Sequence, residues 1–277
     1  MEKTWKWFGR NDEITLSMLR QIGVEGVVTA LYNIPCGEVW PLEAITELNN
    51  YIKDAGLRWS VVEDLPVSEA IRLGGENADK MIDNYVQSLA NLGEAGINTV
   101  CYNFMPETER NTLTKENFKY FLSQLMPVCE EYNISMCINP RNPSDNTPEH
   151  SCAIISEDIE WILKAVDNPY NGLVFHMESS GTNAWNNILQ QAEKFASHTR
   201  FIYLYYTDTI AVGQNMEKSQ LKSREQLIEL IRLFEKEKTF LPMCINNSKG
   251  SFQSRMYEMA QIDGTIATLK YEIDKKY

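Results

Sequence analysis

Two side chains of this 277-residue chain combine proton-transfer chemistry with a meaningful position. Glu63 closes the run Ser60-Val61-Val62-Glu63, and His176 closes the run Leu173-Val174-Phe175-His176. A carboxylate at the end of a β-branched run can act as a general acid or base, accept a sugar hydroxyl, or sit in a loop ion pair. An imidazole there can act as a base, ligate a metal, or make a hydrogen bond in the core. The other two histidines do not end strand runs: His150 falls in a loop stretch and His198 precedes a strand run. Cysteines stand at 36, 101, 129, 137, 152 and 244 with no C-x-x-C spacing, which predicts reduced thiols. Cys101, Cys137 and Cys244 lie inside strand runs and read as small core hydrophobes. A nucleophilic Cys244 would need a base that its own loop does not contain.

Around this pair lies a polar set at the ends of other strand runs. Asn103, Asn139, Arg141, Tyr203, Asn246 and Lys249, together with Trp40, are the candidate substrate-binding residues. The strand ends as a whole, with Tyr32, Asn33, Tyr102, Tyr205, Tyr206 and Asn247 beside these, are rich in Asn and Tyr and poor in metal ligands. Two loops, 178–183 and 246–250, carry Ser, Thr, Asn and Gly ahead of helical sequence, with Lys249 in the second. Such loops present free N–H groups to an anion, or simply cap the helix that follows.

The elements that must position these residues follow from periodicity. Strand runs are read at Thr4–Phe8, Gly26–Leu31, Arg58–Glu63, Asn98–Asn103, Ile134–Asn139, Leu173–Met177, Phe201–Tyr205 and Phe240–Ile245. Sequence of helical period follows each. The first helix starts near Asp12, and the second opens at Trp40-Pro41 and stops at Ala55-Gly56. The third runs from about Asp79 to Gly93 and the fourth over Thr114–Tyr132. Ser156 opens the fifth and Thr182 the sixth, with the last two over Lys222–Lys238 and Gln253–Lys275. Eight strand–helix units fit one (β/α)8 TIM barrel over residues 1–277, whose usual size is about 250 residues. A doubly wound open sheet is the alternative. It is disfavoured because no G-x-G-x-x-G follows the first strand and no linker splits the chain. The longest non-periodic stretches, Leu65–Ala78 and Asn139–Ile155, both follow strand ends, where a barrel carries its functional loops.

Composition narrows the partners. Lys and Arg number 26 against 38 Asp and Glu, a net charge of -12, which argues against a nucleic-acid or anionic-membrane surface. A small anion can still meet a locally positive site. No apolar run approaches a membrane span, and MEKTWKWFGR has no apolar stretch behind a basic start. The expectation is a cytoplasmic chain.

Long ordered runs carry a family likeness. They are Trp7-Phe8-Gly9, Gly26-Val27-Val28-Thr29-Ala30-Leu31, Ile34-Pro35, Gly37-Glu38-Val39-Trp40-Pro41-Leu42-Glu43, Ala55-Gly56-Leu57, Trp59-Ser60-Val61-Val62-Glu63, Pro66-Val67 and Val100-Cys101-Tyr102-Asn103-Phe104-Met105-Pro106. In these the chain resembles the mannonate dehydratase family of sugar-acid lyases. A weaker likeness continues through Asn171-Gly172-Leu173 to Met256-Tyr257-Glu258. The resemblance implies an xylose-isomerase-like TIM barrel and conversion of D-mannonate to 2-keto-3-deoxygluconate and water, a step of glucuronate breakdown. It also implies a Mn²⁺ or Fe²⁺ site on strands five to eight.

The likeness breaks at that metal site. The family's His-Pro falls at Asn139-Pro140, its Cys at His176, its second His at Tyr203, and its Asp at Cys244 or Asn246. The family's His after that Asp is missing, and so is the Arg of its third run. Mn²⁺ and Fe²⁺ favour carboxylate and imidazole ligands, so the metal is not expected to be retained. A lid insertion that follows Asn-Phe-Met-Pro in the family is also missing, since Pro106 runs almost directly into the fourth helix. The expectation is a kept fold whose dehydratase chemistry is impaired or lost. The alternatives are a non-catalytic barrel that binds a sugar acid or sugar phosphate, and a sugar isomerase or epimerase using Glu63 and His176 as its acid/base pair. Barrels of this type commonly associate, so a homo-oligomer is also an expectation.

Overall fold

The structure is a computed structural model that describes residues 1–104, 112–139, 156–178, 182–205, 228–236 and 241–245, with helical positions at 256, 260, 263, 264 and 267. The side chains of 112–114, 156–158, 177–178, 182–187 and 205 are outside that description. Eight parallel strands close into a barrel in chain order. They are β1 (Glu2–Lys6), β2 (Gly26–Thr29), β3 (Arg58–Val62), β4 (Thr99–Tyr102), β5 (Ser135–Ile138), β6 (Asn171–Glu178), β7 (Thr199–Tyr205) and β8 (Pro242–Ile245). Pairing of β1 with β8, from Glu2↔Pro242 to Thr4↔Cys244, completes the ring. The open-sheet alternative is thereby excluded.

Helices connect the strands on the outside. They are α1 (Leu16–Gln21), α2 (Leu42–Asp54), α3 (Glu69–Leu73), α4 (Ala78–Glu94), α5 (Thr112–Tyr132), α6 (Ser156–Ala165), α7 (Thr182–Phe195) and α8, residues 228–236. Their buried positions follow the helical period, as with Ile45, Leu48, Asn49 and Ile52 on α2. The stop at Ala55-Gly56 forms as expected: Gly56 takes φ +76 and its N–H donates to the Lys53 carbonyl at 2.8 Å. Among the described residues no helix is long and apolar enough to cross a membrane.

Two differences from the sequence reading matter for the site. The first strand ends at Lys6, two residues short of Phe8. Beyond it the Phe8 N–H turns to the Asp12 carboxylate, and the Trp7 indole donates to the Ile14 carbonyl at 3.0 Å. Arg10 lies on the surface, paired with Glu47 at 2.7 Å and laid over Tyr51. The stretch Leu65–Ala78 also contains a helix, α3, too short for periodicity to reveal.

The core has two layers. A larger layer packs helices on the outside of the barrel, with Trp5, Trp40, Trp59 and Phe121 among its buried members. A smaller layer, Val28, Val61, Cys101, Cys137, Val174, Phe201, Tyr203 and Cys244, forms one buried cluster contributed by seven of the strands. Three thiols thus serve as small apolar side chains inside the barrel. Burial raises the pKa of Cys101 well above that of an ordinary thiol.

Candidate functional site

The inner layer explains how the site is made. Side chains repeat every second residue along a strand, so the residue two beyond an interior position shares its face, one step nearer the C-terminal end. Glu63 stands two after Val61, Asn103 two after Cys101, and Asn139 two after Cys137. His176 stands two after Val174, and Tyr203 two after Phe201. Lys6 holds the corresponding place two after Thr4 on β1. A tier of apolar interior residues therefore carries a tier of polar ones at the strand ends, where barrels hold their chemistry.

Two groups occupy this tier. The first joins β1, β2 and β3. The Lys6 ammonium pairs with Glu63 Oε1, and the Tyr32 hydroxyl donates to Glu63 Oε2 at 3.0 Å. Both oxygens of the carboxylate are engaged, and the pair is largely covered, with side-chain exposures of 18% for Lys6 and 15% for Glu63. Lys6 also lies 5.1 Å from the centre of the Phe8 ring, which stands 6.3 Å from Tyr32. Phe8 and Tyr32 are exposed, so two aromatic rings flank the ion pair on its open side. Burial, followed by the negative charge of Glu63, raises the Tyr32 pKa, so the hydroxyl remains a donor.

The second group joins β5 to β8. In register, His176 pairs with Tyr203 and Tyr203 with Cys244, which sets three strands' residues side by side. The His176 and Tyr203 rings stand 5.3 Å apart. In its Nε2–H tautomer His176 donates to Asn139 Oδ1 at 2.6 Å. Desolvation depresses the His176 pKa to about 3, so the ring is neutral at physiological pH.

Asn103 closes the gap between the groups. Its carbonyl accepts from Arg72 Nη2 at 3.0 Å, and Arg72 is also paired with Glu69. The short helix α3 thus steadies the end of β4. Lys6 and Arg72 were not legible as site residues: one stood inside an expected strand and the other in an expected loop. The signal for Lys6 was its place two residues after Thr4, had the strand end been set there.

Glu63, Asn103, Asn139, His176 and Tyr203 are all brought to the strand ends, as the sequence reading expected. Trp40 is not, which corrects its place among the substrate-binding residues. Its side chain is 1% exposed and belongs to the outer core, lining a small void with Leu65, Met81 and Tyr85. An indole so covered offers no face to a substrate. Arg141, Asn246 and Lys249 lie outside the described residues, as do loop 246–250 and residues 179–181 of loop 178–183.

The residues at the implied metal positions do not fit Mn²⁺ or Fe²⁺. Asn139 and Tyr203 offer neutral oxygens, and neither Cys244 nor Asn246 supplies a carboxylate. The one imidazole, His176, directs Nε2 at Asn139. Hard divalent cations select carboxylate and imidazole donors instead. Among the described residues no group of three or more His, Cys, Asp or Glu could hold a metal.

Comparison with known proteins adds relatives to this geometry. The sequence profile of the D-mannonate dehydratase (UxuA) family matches residues 1–116 and 109–255. Mannonate dehydratase of Thermotoga petrophila is 34% identical over 77% of this chain and 79% of its own. That of Marinomonas sp. is 30% identical over 84% of each. The crystal structure of mannonate dehydratase from Streptococcus suis serotype 2 superposes with a TM-score of 0.77 at 22% identity, covering 99% of this chain and 95% of that one. D-psicose 3-epimerase of Clostridium cellulolyticum H10 follows with a TM-score of 0.63 at 11% identity, over 98% and 99%, and at that identity the likeness is one of fold.

Proposed function

The chain belongs to the D-mannonate dehydratase family, and from that premise we propose that it binds a sugar acid at its strand ends without performing the family's metal-dependent dehydration. One observation carries the reading. The positions that the family likeness assigns to the metal hold Asn139, His176, Tyr203 and Cys244 (or Asn246), and Asn139 and His176 bond to each other at 2.6 Å.

Dehydration of a 2,3-dihydroxy acid removes the proton beside the carboxylate and expels the neighbouring hydroxyl. Both steps build negative charge that must be stabilised. A metal would supply that stabilisation as a Lewis acid when bound. Within this tier Lys6 is the cation in place to meet a substrate carboxylate. An ammonium has three N–H donors, and Glu63 needs only one. Asn103 and Asn139 bring amide groups suited to the hydroxyls of an open-chain sugar acid, whereas Tyr203, 2% exposed, stays within the inner layer. Phe8 and Tyr32 add an aromatic wall beside Lys6 and Glu63.

An isomerase or epimerase that uses Glu63 and His176 as a pair finds less support. Glu63 already bonds to two partners, and a neutral His176 has no acidic proton to give at physiological pH.

The test combines three measurements on chelator-treated protein. Mn²⁺ is titrated calorimetrically, D-mannonate is titrated in the same way, and 2-keto-3-deoxygluconate is assayed with Mn²⁺ present. The expected result is saturable D-mannonate binding with neither stoichiometric Mn²⁺ nor product. One tightly held Mn²⁺ per chain with turnover would overturn the loss of dehydration. Absence of D-mannonate binding would overturn the sugar-acid reading.

A further inference from the structure

At the opposite end of the barrel the strand starts surround a cavity of about 400 Å³. Its lining includes Glu2, Lys53, Arg58, Ser60, Thr99 and Arg200, from β1, α2, β3, β4 and β7. Pockets of this volume are large enough for a small metabolite.

The charge of the cavity is opposite to that of the protein. Among the described residues three cations line it against one carboxylate, although the chain carries a net charge of -12. Glu2 is 1% exposed, and its Oε1 accepts from Ser60 Oγ at 2.7 Å and Arg58 Nε at 3.0 Å, with Arg58 Nη2 ion-paired to it at 2.9 Å. Arg200 is held differently. Its guanidinium donates to the carbonyls of Ser197, Thr199 and Pro169, at 2.6, 3.2 and 2.9 Å, and pairs with no carboxylate among the described residues. Carbonyl dipoles orient a guanidinium without cancelling its charge. Its bonds to Ser197 and Pro169 are exposed, so the charge is open to an anion that enters the cavity.

The backbone is shaped to place these groups. Between β2 and β3 the register steps from Val27↔Trp59 to Val28↔Val61, which leaves Ser60 as the extra residue. Between β6 and β7 it steps from Leu173↔Thr199 to Val174↔Phe201, which leaves Arg200 as the extra residue. Bulges are rare in parallel sheets, and they re-aim a side chain. Both bulges here carry a polar residue that lines the same cavity.

We infer that the floor of the barrel is a second ligand site, for a small molecule bearing an oxyanion, phosphate or carboxylate, held by Arg200, Lys53 and Arg58. The three carbonyls engage both Nη1 hydrogens and one on Nη2, so Nε–H and the second Nη2 hydrogen are the donors left for two oxygens of such a group, and the exposed Lys53 supplies long-range attraction. This site is independent of the reading at the strand ends, and the two can fail separately.

Inorganic phosphate and malonate, titrated calorimetrically at constant ionic strength set with sodium chloride, distinguish the two oxyanions. Arg200→Gln, Lys53→Gln and Lys6→Met are compared with the unsubstituted chain, with far-UV circular dichroism as the check on folding. At least one anion saturates at one per chain. Its affinity falls about tenfold or more in Arg200→Gln and about threefold in Lys53→Gln, the loss of a charge-assisted bond and of a screened charge respectively. Lys6→Met leaves it unchanged. Lys53 is an exposed helix residue, so its variant keeps the test decisive if Arg200→Gln does not fold. No saturable binding of either anion would overturn the inference. So would binding that both floor variants leave unchanged, or binding lost only in Lys6→Met.

Discussion

Asn139 Oδ1 lies 2.6 Å from His176 Nε2, joining the ends of β5 and β6 by a hydrogen bond at two positions where the family likeness places metal ligands. A neutral amide and a neutral imidazole satisfy each other there. Each of these part-buried polar groups finds a partner in the other.

Rebuilding the ligand set tests that account. Asn139→His with Tyr203→His and Cys244→Asp would place imidazole, imidazole and carboxylate around His176. Mn²⁺ affinity in the triple variant is expected to rise by at least tenfold over the unsubstituted chain, measured by calorimetry. An unchanged affinity would show that these positions do not converge on one cation.

The buried imidazole also makes stability depend on pH. The folded-state pKa of His176 is depressed from 6.5 to about 3. Between these values the unfolded chain binds a proton that the folded chain does not. Its contribution is therefore complete above about pH 6.5 and declines as pH falls towards 3, by about 1.4 kcal/mol for each pH unit. Urea unfolding at pH 7.5 and pH 5 should show this decline. His176→Gln should flatten it by about that slope, and an equally steep decline in the variant would place its origin elsewhere.

Lys6 and Tyr32 are expected to differ in weight. Lys6→Met removes the charge opposite Glu63 and should weaken D-mannonate binding about tenfold or more, with a stability loss of about 1–3 kcal/mol. Tyr32→Phe keeps the exposed ring and loses one hydrogen bond to Glu63, so a stability effect of about 1 kcal/mol is expected. Calorimetric titration and denaturant unfolding of both variants read the two effects. Equal affinities in Lys6→Met and the unsubstituted chain would remove Lys6 from the site.

Gly26 leaves the room that the barrel floor uses. A Cβ there would collide with Ser60 Oγ and lie 2.6 Å from Glu2 Oε1. Gly26→Ala should destabilise the chain by roughly 1–3 kcal/mol through overpacking. Adding Ser60→Ala should recover part of that loss, because the nearest colliding atom is removed. A thermal unfolding comparison of the single and double variants reads the recovery, and additive losses would show that the two positions do not compete for space.

Much of the fold was legible in the residues themselves. Val27-Val28, Val61-Val62 and Phe201-Ile202 announce strands because β-branched and aromatic side chains suit a pleated, buried surface. The spacing of Ile45, Leu48 and Ile52 announces α2 because one helical face must meet the barrel. The strand-end positions of Glu63, Asn103, Asn139, His176 and Tyr203 followed from those runs, since the order of elements dictates which residues come last.

Tertiary structure alone decided the rest. Trp40, a substrate-binding candidate where a helix starts, is covered by packing against α4 and the β3–α3 segment. Lys6 became a site residue only when the chain left the sheet two residues early, drawn by bonds from Phe8 to Asp12 and from Trp7 to Ile14. The bulges at Ser60 and Arg200 are register shifts between strands far apart in sequence, to which local periodicity is blind. Residue types and their order carry the local energetics of strand, helix and turn. Which polar groups meet across the barrel depends on ring closure and register, and those exist only when all eight strands are assembled.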